Sequence, residues 1–266
     1  MSKLLARPTA KTGRLHHITP ASAGWRYVGF DLYRLSPGEA AGEKTRDREV
    51  CLVFVSGKAS LTADGRDLGE IGHRMSPFSG KPDAVYVPAG SDWSLTATTP
   101  CEIAVGSAPG KPHSHPVRII GPADVSQETR GHGTNTRYVT NILPESEPAD
   151  SLLVVEVITP GGHTSSYPPH KHDTDNLPAE SLLEETYYHR LDPPQGFAFQ
   201  RIYTDDRSLD EAVVIEDADL TMVPKGYHPC AACHGYDLYY LNVMAGPVRT
   251  WKFHNAREHE WILSAP

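Results

Sequence analysis

The pattern of apolar and polar positions along the chain is that of short β-strands rather than long helices. Runs of β-branched and aromatic residues are separated by glycine, proline, aspartate and asparagine. Turn residues at this spacing are typical of an all-β sandwich or barrel. Helix is expected only in short pieces, with residues 206–212 as the best candidate. The clearest predicted strands are 50–55, 60–63, 85–88, 152–158, 187–190, 197–203 and 238–243.

Two stretches of the chain repeat the same order of strands and turns. Residues 35–38 (Leu-Ser-Pro-Gly) resemble residues 158–161 (Ile-Thr-Pro-Gly) at an offset of 123 positions. Residues 87–90 (Val-Pro-Ala-Gly) resemble residues 223–226 (Val-Pro-Lys-Gly) at an offset of 136. A constant offset on each side of one 13-residue insertion is expected of two copies of one β-unit.

Glu49 and Glu185 fit the same repeat, because each precedes an apolar strand and they also lie 136 positions apart. The segment between the two copies is rich in proline and glycine, which favours a linker there. We therefore predict an N-terminal unit over residues 1–120 and a C-terminal unit over residues 121–266.

The composition excludes several classes of protein. Of 266 residues, 39% are hydrophobic and 22% are charged, as in a folded globular chain. The formal charge is −8 and no block of lysine or arginine stands out, so nucleic acid is not an expected partner. No apolar run approaches the roughly 20 residues that span a bilayer, and residues 1–11 lack the apolar core of a signal peptide. We expect a cytoplasmic protein without a membrane partner.

Four cysteines are too few for a disulfide scaffold in a chain of this length. Cys51 and Cys101 stand alone in apolar contexts, which indicates buried thiols. Cys230 and Cys233 form a Cys-x-x-Cys motif, but no second cysteine pair is present to complete a structural zinc site. The role of this pair stays open.

The strongest chemical signal in the sequence comes from a few of its 14 histidines. His170 and His172 lie two residues apart, and on a strand they would face the same side. Glu185 opens the next predicted strand, and His228 follows the 223–226 turn. Three imidazoles and one carboxylate suit Zn, Mn, Fe, Ni or Co and leave positions for substrate or water. We predict that these four residues bind one divalent metal ion, with zinc as the first expectation.

The N-terminal copy lacks these ligands. It has Asp92 and Trp93 where the C-terminal copy has His228, and no His-x-His pair occurs near residues 44–49. One unit is therefore predicted to bind metal and the other to be structural.

Other residues near the predicted ligands have less specific signals. By strand alternation, Lys171 and Glu184 point away from the ligands, so Lys171 is expected to be a surface charge and Glu184 to be solvated or ion-paired. His189 shares the face of Glu185 and is either a neighbour of the ligands or a packed histidine. Among four paired tyrosines we prefer Tyr240 as a hydrogen-bond partner of the substrate.

Three arginines are candidates to bind an anionic substrate, because a guanidinium pairs bidentately with a carboxylate. They are Arg190, Arg201 and Arg249. Arg201 is favoured slightly, because it lies in an otherwise apolar predicted strand.

Six segments of the C-terminal half occur in a specific order. They are TPGG (159–162), SSYPPHKHD (165–173), LEETYYHR (183–190), GF with QRIY (196–203), KGYHP (225–229) and GYDLYYLNVMAGP (235–247). This series resembles the IolB family of 5-deoxy-glucuronate isomerases, which belongs to a two-cupin superfamily. The N-terminal half matches the family mainly in its pattern.

The resemblance implies a bicupin fold, in which two β-sandwich or jelly-roll (cupin) units with few short helices share one chain. It implies the same four metal ligands. It also implies conversion of 5-deoxy-D-glucuronate to 2-deoxy-5-keto-D-gluconate in myo-inositol catabolism. This aldose–ketose isomerisation moves a proton from C2 to C1 through an enediol, and the metal stabilises the developing charge. Glu180, His234 and a hydroxide on the metal are open candidates for the base.

Two other classes of function stay open at this point. Three histidines and one glutamate also bind Fe or Mn that activates O₂, so a cupin dioxygenase would show oxygen uptake. A sugar-binding cupin without catalysis is the second alternative, since the N-terminal copy has no predicted ligands. The exposed edges of two joined cupins favour a homodimer.

Overall fold

The computed structural model describes residues 2–264, which form strands joined by turns. The first strands are β1 (Leu5–Ala6), β2 (Gly13–Ile18), β3 (Gly29–Leu35), β4 (Ala40–Lys44), β5 (Arg48–Ser56), β6 (Ala59–Ala63), β7 (Arg66–Ile71), β8 (Asp83–Val87), β9 (Asp92–Ala97), β10 (Cys101–Pro109) and β11 (Arg118–Ile120). The following strands are β12 (Ser126–Arg130), β13 (Arg137–Leu143), β14 (Leu153–Thr159), β15 (Thr164–Ser165), β16 (His170–Lys171), β17 (Asp173–Asn176), β18 (Glu180–Leu182), β19 (Glu184–Asp192), β20 (Ala198–Tyr203), β21 (Asp210–Ile215), β22 (Leu220–Val223), β23 (Cys230–Ala232), β24 (Asp237–Ala245) and β25 (His254–Asn255).

Helix is confined to short pieces in the described residues. They are α1 (Pro20–Ala23) and two 3₁₀ helices, Gly133–Asn135 and Arg257–Ser264. None of them is long and apolar enough to cross a membrane. The all-β prediction and all seven predicted strands are confirmed.

The predicted helix over 206–212 is wrong. Asp206 Oδ1 accepts hydrogen bonds from the Thr204 hydroxyl and from both the backbone N–H and the hydroxyl of Ser208. Side-chain bonds of this kind stabilise a turn in place of a helix. The chain then continues directly into β21.

The chain divides into two compact units, but no single cut separates them. One unit contains Pro8–Ser126 and Asn141–Val154. The other contains the residues up to Arg7, Gln127–Thr140 and the chain from Val155 onward. The boundary predicted at 120–121 lies near the first crossing, and no pattern in the sequence indicates that residues 141–154 return to the N-terminal unit.

The N-terminal unit has two antiparallel sheets, with strand orders β11-β8-β5-β10-β3-β2 and β4-β9-β6-β7. Its core includes Leu52, Phe54, Leu61, Trp93 and Ile103. Residues of β9 alternate between exposed and buried, as expected of a strand with one face on the core.

The C-terminal unit has a seven-stranded sheet of order β1-β22-β19-β24-β14-β13-β12 and a four-stranded sheet of order β15-β23-β20-β21. Two short pairs, β16-β25 and β17-β18, complete it. Strand β19 pairs with β24 along its whole length, from Glu184 opposite Ala245 to Asp192 opposite Asp237. Alternation along β19 places Glu185, Tyr187 and His189 on one face.

The strand orders confirm the internal repeat. In the large sheets, β8-β5-β10-β3-β2 of the N-terminal unit has the same order as β22-β19-β24-β14-β13 of the C-terminal unit. In the small sheets, β4-β9-β6-β7 corresponds in the same way to β15-β23-β20-β21. Each unit is therefore one copy of the same β-sandwich.

The strand registers correct the sequence match between Glu49 and Glu185. Val223 pairs with Glu185, whereas its counterpart Val87 pairs with Val50. Val50 belongs to the N-terminal core, so Glu49 points to the opposite face of β5. A one-residue slip therefore puts a valine where the C-terminal unit has its inward-facing carboxylate.

Glu49 is nevertheless fully buried, and its carboxylate binds backbone. It accepts hydrogen bonds from the N–H groups of Asp150, Ser151 and Leu152 and from the Tyr86 hydroxyl, at 2.6–2.8 Å. These bonds hold the 150–152 segment within the N-terminal unit. In this copy the glutamate has a structural role.

Candidate metal centre

Three of the predicted ligands converge inside the C-terminal unit. His172 follows β16, Glu185 lies on β19 and His228 follows β22, and all three side chains are buried. His172 Nε2 lies 3.0 Å and His228 Nε2 lies 3.3 Å from Glu185 Oε2. The three donor atoms all lie within 4.8 Å of one another. Two imidazoles and one carboxylate therefore point at a single place.

Backbone carbonyls orient both imidazoles of this group. His172 Nδ1 lies 3.1 Å from the Leu183 carbonyl oxygen, and His228 Nδ1 lies 2.8 Å from the Gly226 carbonyl oxygen. A carbonyl only accepts, so each Nδ1 carries the proton and each Nε2 is left to act as a donor atom. The Nε2 of His228 is buried and makes no hydrogen bond. These features fit a divalent metal ion at this place.

His170 lies beside the three converging residues. Its ring centroid is 5.1 Å from that of His228 and 6.4 Å from that of His172. Strand β25 pairs with β16, which puts Asn255 opposite His170, and the Phe253 ring lies 4.6 Å from the His170 ring. Burial, followed by the neighbouring His228 and His172, lowers the pKa of His170 well below its ordinary value. The imidazole is therefore neutral and available as a ligand.

The electrostatics of the group favour a cation. Burial by itself would raise the pKa of Glu185, but the hydrogen bond from His172 and the nearby imidazole of His228 outweigh it and lower that pKa to about 2. Burial by itself would lower the pKa of His172, but the bond to Glu185 and its charge raise it. The contact between the two groups therefore favours a protonated His172 beside an ionised Glu185.

Lys171 is not the surface charge that strand alternation predicted. Its side chain is buried, and Nζ lies 2.7 Å from Asp173, 3.3 Å from Glu180 and 3.6 Å from Asp205. A buried ammonium needs such compensation. Asp173 also accepts a hydrogen bond of 2.8 Å from the Gly226 N–H. The cluster therefore links the chain around His172 to the turn that precedes His228.

Glu180, one of the candidate bases, is held by several hydrogen bonds. Besides the bond to Lys171, Glu180 Oε1 accepts hydrogen bonds from the backbone N–H groups of Asp173 and Thr174, at 2.8 and 3.1 Å. These bonds close the β17–β18 hairpin. His234, the second residue among the candidate bases, is exposed in the turn between β23 and β24.

A small chamber adjoins the converging ligands. Its volume is about 30 Å³, and its lining includes Arg137, His170, Glu185, Tyr187, Tyr240 and Asn242. A cavity of about 500 Å³ shares Arg130, Arg137 and His170 with this chamber. The larger cavity has the size of a small-molecule site. The predicted ligands therefore lie next to a space that can accept a substrate.

Tyr240, the predicted hydrogen-bond partner of the substrate, lines the chamber. Its ring centroid lies 4.9 Å from that of Tyr187, whose hydroxyl lies 3.1 Å from Ser166 Oγ. Burial raises the pKa of both tyrosines, so both phenols keep their protons at neutral pH.

A buried hydrogen-bond chain lies behind His228. His189 Nε2 lies 3.1 Å from Thr221 Oγ1, which donates to Gln200 Oε1 at 2.6 Å. Gln200 Nε2 in turn donates to the His228 carbonyl oxygen at 3.1 Å. Burial lowers the pKa of His189 to about 3, so this imidazole is neutral. His189 thus lies near the candidate metal centre and is linked to the His228 backbone through Thr221 and Gln200.

The three arginines predicted to bind substrate do not line the chamber or the cavity. Arg190 pairs with Asp217 at 2.8 Å and lies on the face of β19 opposite Glu185. Arg201 is exposed on β20 and pairs with Asp210. Arg249 lies half-buried after β24.

Sequence reasoning missed Arg130 and Arg137, the arginines that do line both spaces. They end β12 and begin β13, so they flank one hairpin loop. The signal lies in two arginines on either side of residues 131–136, and the predicted linker, residues 109–133, contains the first of them.

All four cysteines are free thiols. Cys51 and Cys101 are buried, as predicted. Cys230 is buried and Cys233 is partly exposed, and neither belongs to the group of converging metal donors.

Comparison with known proteins decides the family. Residues 4–262 match the model of the KduI/IolB family. The chain belongs to the KduI/IolB family. Among its relatives in that family, a 5-deoxy-glucuronate isomerase of Geobacillus kaustophilus is 53% identical over 100% of this chain and 97% of its own length. The 5-deoxy-glucuronate isomerase of Bacillus subtilis strain 168 is 46% identical over 99% of each chain.

Solved structures confirm the fold of this KduI/IolB-family protein. An IolB-like protein from Salmonella typhimurium LT2 is 52% identical, with a TM-score of 0.96 over 98% of this chain and 100% of its own. The oxalate decarboxylase of Lactobacillus farciminis is 14% identical, with a TM-score of 0.66 over 100% of this chain and 91% of its own. The second likeness concerns the fold alone. The predicted family and the predicted bicupin fold are both confirmed.

Proposed function

We propose that this chain is a metal-dependent 5-deoxy-glucuronate isomerase, which converts 5-deoxy-D-glucuronate to 2-deoxy-5-keto-D-gluconate in the cytoplasm, in myo-inositol catabolism. The observation that carries this proposal is the convergence of His172, Glu185 and His228 beside a cavity of about 500 Å³. It occurs in a chain that matches named 5-deoxy-glucuronate isomerases over almost its full length.

The metal would be held by His172, Glu185 and His228, with the adjacent His170 as the fourth donor. A divalent ion supplies a Lewis acid, which polarises a carbonyl oxygen and stabilises negative charge on it. Nitrogen and carboxylate donors suit Zn, and also Mn, Fe, Ni or Co. Zinc is our first expectation.

The residues around the chamber have two roles in this isomerisation, as hydrogen-bond donors and as an apolar wall. Tyr240 keeps its phenolic proton, because burial raises its pKa, and donates a hydrogen bond to a substrate oxygen. Asn242 is buried, and its Nδ2 has no hydrogen-bond partner among residues 2–264, so it is a second donor at the chamber. Val139, Val155 and Val157 form an apolar wall that limits access of water.

The test uses purified full-length protein with 5-deoxy-D-glucuronate, followed by NMR, together with elemental analysis. We expect the keto acid product, metal in the wild type, and loss of both metal and activity in Glu185→Gln. Glu147→Gln, in an exposed turn, is the matched control and should behave as wild type. Oxygen uptake without isomerisation would contradict the proposal and indicate a dioxygenase. Sugar binding without turnover would replace it with a binding protein.

A further inference from the structure

We propose that Arg137 forms the subsite that binds the carboxylate of the sugar acid, and that Arg130 adds a second positive charge there. This inference rests on the proposed function, since it assigns one end of the substrate to residues of the same cavity. The opposite end of the substrate would then lie toward His170 and Glu185, which line the chamber with the two arginines.

Arg137 is a cation without an acidic partner. Its Nη1 donates to the backbone carbonyl oxygen of Asn135 at 3.0 Å and to the Asn135 side-chain oxygen at 3.2 Å. No carboxylate of residues 2–264 forms an ion pair with it, whereas Arg190 and Arg201 each have one. A largely buried charge without an opposite charge is costly unless a ligand supplies that charge. Burial and the charge of Arg130 lower the pKa of Arg137 and outweigh the opposite effects of Tyr240 and Glu128.

Arg130 adds a second positive charge to the same space. Its Nε and Nη2 donate to Glu128 Oε1 at 3.1 and 2.6 Å, and its guanidinium lies 5.1 Å over the Trp251 ring. These contacts fix its orientation. Glu128 balances one of the two guanidinium charges, and Glu185 is directed to the metal centre. One positive charge is therefore left for an anionic ligand.

The conformation of the hairpin between β12 and β13 places Arg137 at the cavity. Gly131 has φ of 75°, and a Cβ there would lie 2.2 Å from the Asn135 carbonyl oxygen and 2.7 Å from Arg137 Nη1. Only glycine allows this close approach. Asn135 Nδ2 donates to the Tyr167 carbonyl oxygen at 3.1 Å, which fixes the loop beside the segment that leads to His170. The loop, the cation and the ligand-bearing segment are thus held together.

The cavity suits one class of ligand. Its volume of about 500 Å³ accommodates a six-carbon sugar acid. A planar guanidinium binds a carboxylate with two parallel hydrogen bonds, which a hydroxymethyl group cannot form. Arg137 would therefore select a sugar acid over the corresponding neutral sugar.

The test compares two substrates and two variants in the metal-loaded protein. The substrates are 5-deoxy-D-glucuronate and 5-deoxy-D-glucose, which carries a hydroxymethyl group in place of the carboxylate. In Arg137→Gln, we expect the ratio of kcat/KM for the acid to that for the neutral sugar to fall about 10- to 100-fold, chiefly through KM. Arg201→Gln, on the exposed side of β20, should keep the wild-type ratio. An unchanged ratio in Arg137→Gln would overturn the subsite.

A second measurement separates the subsite from the isomerase proposal. Calorimetric titration with D-glucuronate and with D-glucose measures anion recognition without turnover. We expect the wild type to prefer D-glucuronate and Arg137→Gln to lose that preference at unchanged metal content. If the wild type fails to isomerise but shows this preference, the proposed function fails and the subsite stands. If Arg137→Gln does not fold, Arg137→Lys replaces it, since lysine keeps the charge but cannot form two parallel hydrogen bonds to a carboxylate. An unreduced preference for D-glucuronate in Arg137→Lys would contradict the subsite.

Discussion

His172 Nε2 lies 3.0 Å from Glu185 Oε2, and both side chains are almost completely buried. The two residues come from separate segments, one just after β16 and one on β19. An ion pair so far from water is stable only where each partner is further compensated. Here the Leu183 carbonyl holds His172, and His228 approaches the same carboxylate oxygen. Removal of the His172 proton would leave three donor atoms directed at one ion.

Metal affinity should therefore rise with pH. The bond to Glu185 raises the pKa of His172, and a metal ion must displace the proton that His172 holds below that pKa. We expect affinity to rise by up to about tenfold per pH unit below the raised pKa and to level off above it. Calorimetry at several pH values, in buffers of different ionisation enthalpy, measures the affinity and the protons released. Metal binding that releases no proton at pH 6 would refute this account.

Gln200 should position His228. In Gln200→Leu the Thr221 hydroxyl and the His228 carbonyl lose buried partners, which costs about 1–3 kcal/mol each in the free energy of unfolding. Metal affinity should fall about 10- to 100-fold. Urea unfolding and metal titration measure the two effects, and Gln200→Glu, which keeps an acceptor for Thr221, should retain part of the stability. Wild-type metal affinity in Gln200→Leu would show that this chain of bonds does not position the ligand.

Phe253 should hold His170 in place. Its ring lies 4.6 Å from the His170 ring, on the segment whose β25 strand pairs with β16. In Phe253→Ala we expect weaker metal binding and a changed ligand environment in the spectrum of the cobalt-substituted protein. Trp261→Ala, an exposed position further along the C-terminal segment, is the control. A cobalt spectrum identical to that of the wild type would show that His170 is not a ligand or that Phe253 does not hold it in place.

Glu49 should matter for stability and not for metal. Its buried carboxylate accepts four hydrogen bonds in the N-terminal unit. In Glu49→Gln, the amide NH₂ group would face some of the N–H and O–H groups that donate these bonds and could not accept from them. We expect a loss of about 2–4 kcal/mol in the free energy of unfolding. Metal content per folded chain should stay at the wild-type level. Loss of metal from the folded variant would contradict the assignment of metal binding to the C-terminal unit alone.

The sequence predicted the features that depend on neighbours along the chain. Alternation predicted β19 and the shared face of Glu185 and His189, and the His170–His172 spacing marked the ligand segment. Specific motifs carried the family resemblance, which the comparison confirmed. These signals are local: periodicity is sufficient for the strands and their faces, and the family resemblance depends on the motifs themselves.

Features that depend on register or on distant partners could not be predicted in the same way. The one-residue slip that turns Glu49 away from the core shows only in the pairing of β5 with β8. Lys171 is buried because Glu180 and Asp205 come to it from later segments. Arg130 and Arg137 line the chamber because a hairpin loop brings them together, and the segment itself is polar and glycine-rich like a linker.

The most direct test of the account is a titration of metal into chelator-stripped protein, with the isomerase rate on 5-deoxy-D-glucuronate measured at each point. The rate should start near zero, rise in proportion to bound metal and saturate at one ion per chain. The metal should not bind to stripped Glu185→Gln at the same concentrations. Full isomerase activity in the stripped wild-type protein, or saturation at two ions per chain, would contradict a single metal centre in the C-terminal unit.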